Sequence, residues 1–288
     1  MSQNDLSPIG EAARWACILE VCAPKAGNVH PHAPFADATA KDFIESGEVI
    51  APILDRAVHQ PVGRTILDCV IATQQAIGHN TNLGIILLLA PLCSIPSNQP
   101  IWPGIERVLA SLTVQDAQLT FEAIRLAKPG GLGKTSREDV RSHATVTLRN
   151  AMELAADRDA IARQYRSGFA DVISTLAEDV SADGDRSQVI VLAHIRQMAR
   201  EPDTLIARKC GSEVAIESSR RAQQTLELGW PGTQAGRRVF AELDAWLRAD
   251  GHRRNPGTSA DLIAAGLFVA LRQGRIKPPF EWVQRLLI

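Results

Sequence analysis

The sequence predicts an all-α fold, organised as one compact multi-helix domain over residues 1–288. Apolar residues recur at helical spacing through most of the chain. Residues 83–89 are apolar on every side, which is typical of a helix buried in a core. We find no convincing run of alternating apolar and polar residues that would form a half-buried strand. Polar loops at the helix ends are therefore the predicted site.

The first predicted helix begins at Ser7-Pro8, because serine is a common N-cap and proline is favoured at the first helical position. Glu20 lies on the apolar face of this helix near its C-terminal end, where a carboxylate is disfavoured. Two interpretations stay open. Glu20 pairs with Lys25 just past the helix, or it is a ligand for a metal or a hydroxyl group.

A loop with glycine, proline and asparagine follows, and it carries His30 and His32 on either side of Pro31. Both imidazoles could point into a cleft from an extended loop, although surface histidines without a ligand are more common. Asp37 then precedes a second helix, which we expect to begin near Thr39.

Residues 79–84 form a polar segment between two apolar segments, and they include Asn80, Thr81 and Asn82. Buried amides without partners cost about 1–3 kcal/mol each, so these side chains must be satisfied. One interpretation is that they cap the following helix. The other is that the helix N-terminus binds an anion such as phosphate.

More helices are predicted downstream by apolar spacing and turn signals, at residues 102–112, 114–127, 136–172, 188–200, 213–228, 233–249 and 262–271. Ser136 and Asp139 form a capping box at the start of the long pattern. Residues 133–135 read Gly-Lys-Thr, but a P-loop is not indicated because Lys128 stands where its first glycine would be and no strand precedes it.

An acidic segment, Asp157-Arg158-Asp159, interrupts that pattern. Asp157 lies one turn before Ile161 on the same stripe, so we expect at least one of the two acids to face inward. The inward-facing acid either caps a helix or pairs with an arginine, or it is a ligand for Mg²⁺ or a sugar hydroxyl. Further along, Lys209 belongs to a basic bend that is either solvated surface or an anion contact.

Composition excludes several classes of function. The formal net charge is −1, so no basic field favours nucleic acid or a membrane surface as partner. We expect no signal peptide and no membrane-spanning segment, and hence a cytoplasmic protein. The five cysteines show neither a C-x-x-C motif nor zinc-ligand spacing, which predicts reduced thiols in the core.

Four segments together resemble the triphosphoribosyl-dephospho-CoA synthase family. They are Lys-Ala-Gly-Asn-Val at 25–29, Asn-Thr-Asn-Leu-Gly at 80–84, Pro-Gly-Gly-Leu-Gly at 129–133 and Asn-Pro-Gly-Thr-Ser-Ala-Asp-Leu at 255–262. The resemblance implies an all-helical transferase that acts on ATP. Adenine leaves, and the 5-triphosphoribosyl group passes to the 2′-hydroxyl of 3′-dephospho-CoA. The product is the precursor of the prosthetic group of citrate lyase and malonate decarboxylase carrier proteins.

This chemistry indicates which residues to examine. Transfer through an oxocarbenium-like state needs a carboxylate base, and a triphosphate needs Mg²⁺, cations and helix N-termini. The candidate catalytic residues are Glu20, Asp37 and Asp157, and the candidate Mg²⁺ ligands are Asp157 and Asp261. The candidate residues for binding substrate or phosphate are Lys25, Asn28, His30, Asn80, Thr81, Asn82, Gly84, Lys209, Asn255 and Ser259.

The chain departs from the family pattern at two places. Ala26 replaces the proline of Lys-Pro-Gly, and Asn82-Leu83 replaces the His-Lys of Asn-Thr-His-Lys-Gly. His30 and His32 could supply what the second motif has lost. Two alternatives therefore stay open: another ribosyl or nucleotide transfer on the same fold, for example in making a pterin-type (tetrahydromethanopterin-like) cofactor, or a non-catalytic nucleotide-binding protein. A homodimer is an option because such assemblies are common.

Overall fold

The computed structural model describes residues 7–130 and 139–287. Within these ranges the chain is α-helical, and the only β-type pairing is an isolated bridge between His30 and Ala33. The predicted all-α fold is confirmed. None of the described helices is long and apolar enough to cross a membrane.

The described residues form fifteen α-helices, one 3₁₀ turn at Ala57–His59 and one π-helical segment at Asp171–Leu176. The α-helices are α1 (Pro8–Cys22), α2 (Ala40–Leu54), α3 (Val62–Ile77), α4 (Leu83–Cys93), α5 (Ile101–Ser111), α6 (Val114–Ala127), α7 (Leu148–Ala155), α8 (Ala160–Ser167), α9 (Ala177–Asp179), α10 (Arg186–Arg200), α11 (Thr204–Cys210), α12 (Ser212–Glu227), α13 (Gln234–Arg248), α14 (Gly257–Arg272) and α15 (Glu281–Leu287).

Helices α4 and α14 form the centre of the core. Every residue of α4 except Gly84 is buried, as the all-round apolar pattern predicts. Helix α14 is buried along residues 258–270 except at Asp261, and it packs against α1, α4, α10 and the π-helical segment. Because their first turns carry the polar residues, α4 and α14 place polar groups close to the centre of the protein.

Local sequence signals explain several helix starts. The Ser7 hydroxyl accepts a hydrogen bond from the Ile9 amide at 3.3 Å, so Ser7 is the predicted N-cap of α1. The Asp42 carboxylate accepts one from the Thr39 amide at 2.7 Å, and α2 begins directly after Thr39. These caps fix where the chain enters each helix.

The long helix predicted from Ser136 is not formed as expected. Ser136 lies outside the described residues, as does the Gly-Lys-Thr segment, and residues 139–147 form turns and bends. Helix α7 begins at Leu148, with Thr147 as its N-cap. A second break follows because the Asp159 carboxylate accepts hydrogen bonds from the amides of Ile161 and Ala162, at 2.9 and 3.1 Å, and so starts α8.

All five cysteines are free thiols. Four of them are buried, as predicted, whereas Cys210 is partly exposed at the end of α11.

Candidate active site

A cavity of about 1240 Å³ lies where the N-terminal ends of α4 and α14 meet the C-terminal ends of α1, α3 and α6. Residues of α7, α8 and α11 close its sides. Helix N-termini carry unpaired amide groups and partial positive charge. The ends of α4 and α14 therefore favour an anionic ligand in this cavity.

The closest approach of α4 and α14 brings a carboxylate to the cavity wall. A Cβ atom at position 84 would lie 2.0 Å from Asp261 Oδ2, so only glycine fits opposite this side chain. Burial raises the pKa of Asp261 well above its usual range, and the negative charges of Glu20 and Asp203 add to this effect. A cation bound against Asp261 would offset this cost.

Glu20 also lines the cavity, and Lys25 supports it from behind. Lys25 Nζ lies 2.9 Å from Glu20 Oε1, and it also donates to the backbone carbonyls of Glu20 and Ala23. An ammonium group has three donors, so this side chain has none left for a ligand. Lys25 is fully buried and does not line the cavity, which contradicts its predicted role in binding phosphate.

The segment before α4 caps that helix and also contributes side chains to the cavity lining. The Asn80 carboxamide oxygen accepts a hydrogen bond from the Leu83 amide at 3.1 Å, and the Thr81 hydroxyl bonds with Ser46. The buried Asn82 side chain accepts one from Thr73 at 3.2 Å, while its Nδ2 has no partner among the described residues. Asn80, Thr81 and Gly84 line the cavity, whereas Asn82 lies behind them.

Several cationic side chains line the cavity, and together they are called its basic side. Arg208 Nη1 lies 2.6 Å from Asp159 Oδ2, so this arginine is held in place by an acid that also caps α8. Burial lowers the pKa of Lys209, which lies next to Arg208 on α11. Lys128 and Arg158 line the cavity as well. This basic side can neutralise the phosphates of a nucleotide.

The lining also includes an apolar wall. Its side chains come from the start of α4, the end of α6 and from α7 and α8, and they are Leu83, Ile85, Leu87, Phe121, Ile124, Leu126, Leu148, Met152, Leu154 and Ile161. A ligand with both a charged and an apolar part would match this arrangement.

Comparison with known proteins decides the family. The model of the CitG family, described as ATP:dephospho-CoA triphosphoribosyl transferase, matches residues 6–279. The chain belongs to this family. A crystal structure from Archaeoglobus fulgidus, assigned as a triphosphoribosyl-dephospho-CoA synthase, superposes with a TM-score of 0.65 at 26% identity, covering 80% of this chain and 99% of that one. Among curated proteins none matches the chain. The family resemblance and the transferase class predicted from the sequence are confirmed.

Several predicted residues of this CitG-family chain do meet at the cavity. They come from six places in the sequence and are Glu20, Asn28, Asp37, Asn80, Thr81, Gly84, Lys209, Asn255 and Asp261. Asp37 is an exposed residue of the rim, and its Oδ1 lies 3.5 Å from His252 Nδ1.

Three other predicted residues are not brought to the cavity. The Asp157 side chain is 91% exposed and pairs with Arg166 at 2.7 Å, so the predicted catalytic and metal-binding roles of Asp157 are not supported. The Ser259 amide and hydroxyl donate to buried Asp203, at 2.7 and 2.8 Å, and thereby anchor the start of α14. His30 lies outside the cavity lining, and burial together with the nearby Arg248 lowers its pKa to about 4.

The sequence reasoning missed Asp203 and His194, and it considered Asp159 and Arg208 only as parts of the acidic segment and the basic bend. For Asp159 the signal was present, because one acid of residues 157–159 was expected to face inward and the wrong one was chosen. Asp203 was also recognisable locally, because it caps α11 by accepting hydrogen bonds from the amides of Leu205 and Ile206. His194 gives no local signal, since its partner Asn28 is distant in the sequence.

The described residues contain no group of three or more His, Cys, Asp or Glu side chains that could hold a metal ion by themselves. Mg²⁺ is commonly held by one or two carboxylates together with substrate phosphates and water. Asp261 fits that lesser requirement. Its carboxylate lies against Gly84 of α4, where a Cβ atom at position 84 would collide with it.

Proposed function

We propose that this transferase moves the 5-triphosphoribosyl group of ATP to the 2′-hydroxyl of 3′-dephospho-CoA and releases adenine. Family membership supports the substrate pair. One observation supports this chemistry above all. Glu20 and Asp261 line the cavity where two helix N-termini meet, and basic and apolar side chains belong to the same lining.

Glu20 is the proposed general base. Its ion pair with Lys25 fixes the carboxylate in the cavity wall, and it has no hydrogen-bond donor from the described residues other than Lys25. In the transfer Glu20 takes the proton of the acceptor hydroxyl while the hydroxyl oxygen bonds to the anomeric carbon of the ribose. The C–N bond between the ribose and adenine breaks in the same step, and the electron pair of this bond leaves with adenine.

The triphosphate is proposed to lie between the basic side and the helix ends. Arg208 and Lys209 from α11 would contact the phosphates, together with the free amides at the start of α4. Mg²⁺, held by Asp261, would neutralise part of the phosphate charge when bound. The apolar wall is proposed to receive the pantetheine arm of the acceptor or the adenine base.

The test is incubation of the purified protein with ATP and Mg²⁺, with and without 3′-dephospho-CoA, followed by measurement of adenine and product mass. Adenine released with the acceptor, together with a triphosphoribosyl adduct, is the expected result. Glu20→Gln should abolish turnover and keep ATP binding, whereas Asp157→Asn should behave as wild type. Absence of adenine under both conditions would overturn the proposal.

A second candidate is transfer of the same group to a different acceptor, such as a pterin-type compound. It is favoured by Leu83, an apolar side chain in the cavity lining at the place of the family's lysine. Adenine released only with another acceptor would select it. The non-catalytic alternative is set aside because the family is a transferase family. The cytoplasmic location and the homodimer stay predictions.

A further inference from the structure

The loop at residues 26–28 is held at two points by α13, which is distant in the sequence. The Gly27 amide donates to Asp244 Oδ1 at 2.7 Å, and Arg248 Nη2 donates to the Asn28 carbonyl at 2.6 Å. Asp244 and Arg248 are themselves paired on α13, with 2.8 Å between Oδ1 and Nε. The backbone of Asn28 therefore has a fixed position at the cavity wall.

The side chain of Asn28 is fixed as well, by His194 on α10. Asn28 Nδ2 lies 3.2 Å from His194 Nε2 and 3.4 Å from the carbonyl oxygen of Ala26. A carbonyl oxygen can only accept, so the amide nitrogen is the atom at this position. His194 Nε2 must then accept the other amide hydrogen, which places the ring proton on Nδ1.

The environment of His194 keeps this arrangement in place. The imidazole is completely buried, and burial with the nearby charge of Lys25 lowers its pKa to about 3. A neutral ring retains the lone pair on Nε2 at ordinary pH. The Pro256 backbone near the ring raises the pKa by a smaller amount, and His194 Nδ1 itself is buried without a hydrogen-bond partner among the described residues.

Both amide hydrogens of Asn28 are thus used within the protein, and its oxygen is left over. This oxygen has no hydrogen-bond partner among the described residues, and Asn28, although only 5% exposed, lines the cavity. It can accept a hydrogen bond but cannot donate one. Phosphate oxygens offer no donor at neutral pH, so the matching partner is a donor group of the substrate, such as a ribose hydroxyl. Asn28 lines the same cavity as Glu20, the proposed base, which makes a hydroxyl of the reacting ribose the candidate donor.

We propose that His194 is a positioning residue that holds the Asn28 carboxamide with its oxygen towards the cavity, where it accepts a hydrogen bond from a ribose hydroxyl of ATP. This inference rests on the proposed function. His194 contacts no substrate in this arrangement and acts only through Asn28.

The first test determines the tautomer of His194 and needs no substrate. ¹⁵N NMR of histidine-labelled protein should show one ring that is neutral at pH 6 with its proton on Nδ1, and this signal should be absent in His194→Gln. A proton on Nε2 would require the Asn28 oxygen to face the ring, and it would overturn the inference.

The second test compares ATP with 2′-deoxyATP and 3′-deoxyATP in the adenine-release assay. Wild type should lose about tenfold in kcat/KM with one of the two analogues, the size expected for a hydrogen bond left unmade. Asn28→Ala and His194→Leu should lower activity on ATP and lose this discrimination. His194→Gln retains an acceptor oxygen and should restore part of it. His59→Gln changes an exposed histidine on the 3₁₀ turn and serves as the control.

The outcomes separate the two proposals. Unchanged discrimination in Asn28→Ala, with normal adenine release, would overturn this inference and leave the proposed function intact. No adenine from ATP in wild type would overturn the proposed function and the ribose contact together. If His194→Leu does not fold, the tautomer and Asn28→Ala decide the question.

Discussion

Replacement of Lys25 by methionine should be among the most destabilising single changes in this protein. The Lys25 side chain is fully buried and that of Glu20 is 6% exposed, so the ion pair has little solvent to screen it. Removal of the cation leaves a buried carboxylate beside a second one, Asp261. Loss of one partner of a buried ion pair costs about 3–5 kcal/mol. That is a large part of the 5–15 kcal/mol typical of a whole domain.

The assay is denaturant unfolding at pH 7, with Lys209→Met as the matched control. Lys209 is a partly buried lysine of the cavity and makes no ion pair within the described residues. Its replacement should weaken ATP binding with a small change in the free energy of unfolding. The double variant Lys25→Met/Glu20→Gln should recover most of the lost stability, because a neutral pair of similar volume replaces the ion pair. The double variant should nevertheless stay inactive, because Glu20 is the proposed base. A cost below about 1 kcal/mol for Lys25→Met would refute the reasoning, since that is the value of an exposed pair.

Three further changes test other parts of the site. Gly84→Ala should displace the Asp261 carboxylate, because the new Cβ would lie 2.0 Å from Oδ2. Adenine release should then fall at least tenfold. Wild-type activity in this variant would show that α4 and α14 can separate freely. Asp159→Asn should raise the KM for ATP, because it removes the charge that orients Arg208. Asp157→Asn should leave the KM unchanged, because Asp157 pairs with Arg166 outside the cavity. Equal effects of the two substitutions would contradict the geometry. Since the pKa of His194 is lowered to about 3, the unfolded chain binds this proton more readily, and stability should fall as the pH drops below 6.5. The contribution is about 2 kcal/mol between pH 7 and pH 5, and it should be missing in His194→Gln when denaturant unfolding is compared at the two pH values.

Much of the fold follows from local rules. Apolar spacing placed most helices within a few residues of their bounds, and the caps at Ser7 and Thr39 follow from side chains that bond to nearby amides. The polar segments at helix ends were recognised because buried amides and carboxylates demand partners. Among the described residues the periodic argument failed at 139–147, which form no helix, and again at Asp159. Asp159 starts a new helix there, so the helical register that pointed Asp157 inward does not continue.

The partners of the polar groups were harder to predict. Two roles were open for Lys25, and the loop conformation between it and α1 turns its ammonium group onto Glu20. Ser259 was expected at the substrate, but Asp203, 56 residues away in the sequence, takes both its donors. In each case the partner is the side chain that the packing of the folded protein places within hydrogen-bond distance.

The sequence by itself determined the helices, the buried position of α4 and the family motifs at the helix ends, because these depend on contacts within a few residues. Only the tertiary structure decided which polar residues share the cavity. Glu20, Gly84 and Asp261 meet there because α1, α4 and α14 pack together in the core. Lys25 and Ser259 lie behind the cavity because partners inside the protein satisfy them, and His194 lies there against Asn28. Packing between distant helices sets these positions, and one-dimensional periodicity does not encode it.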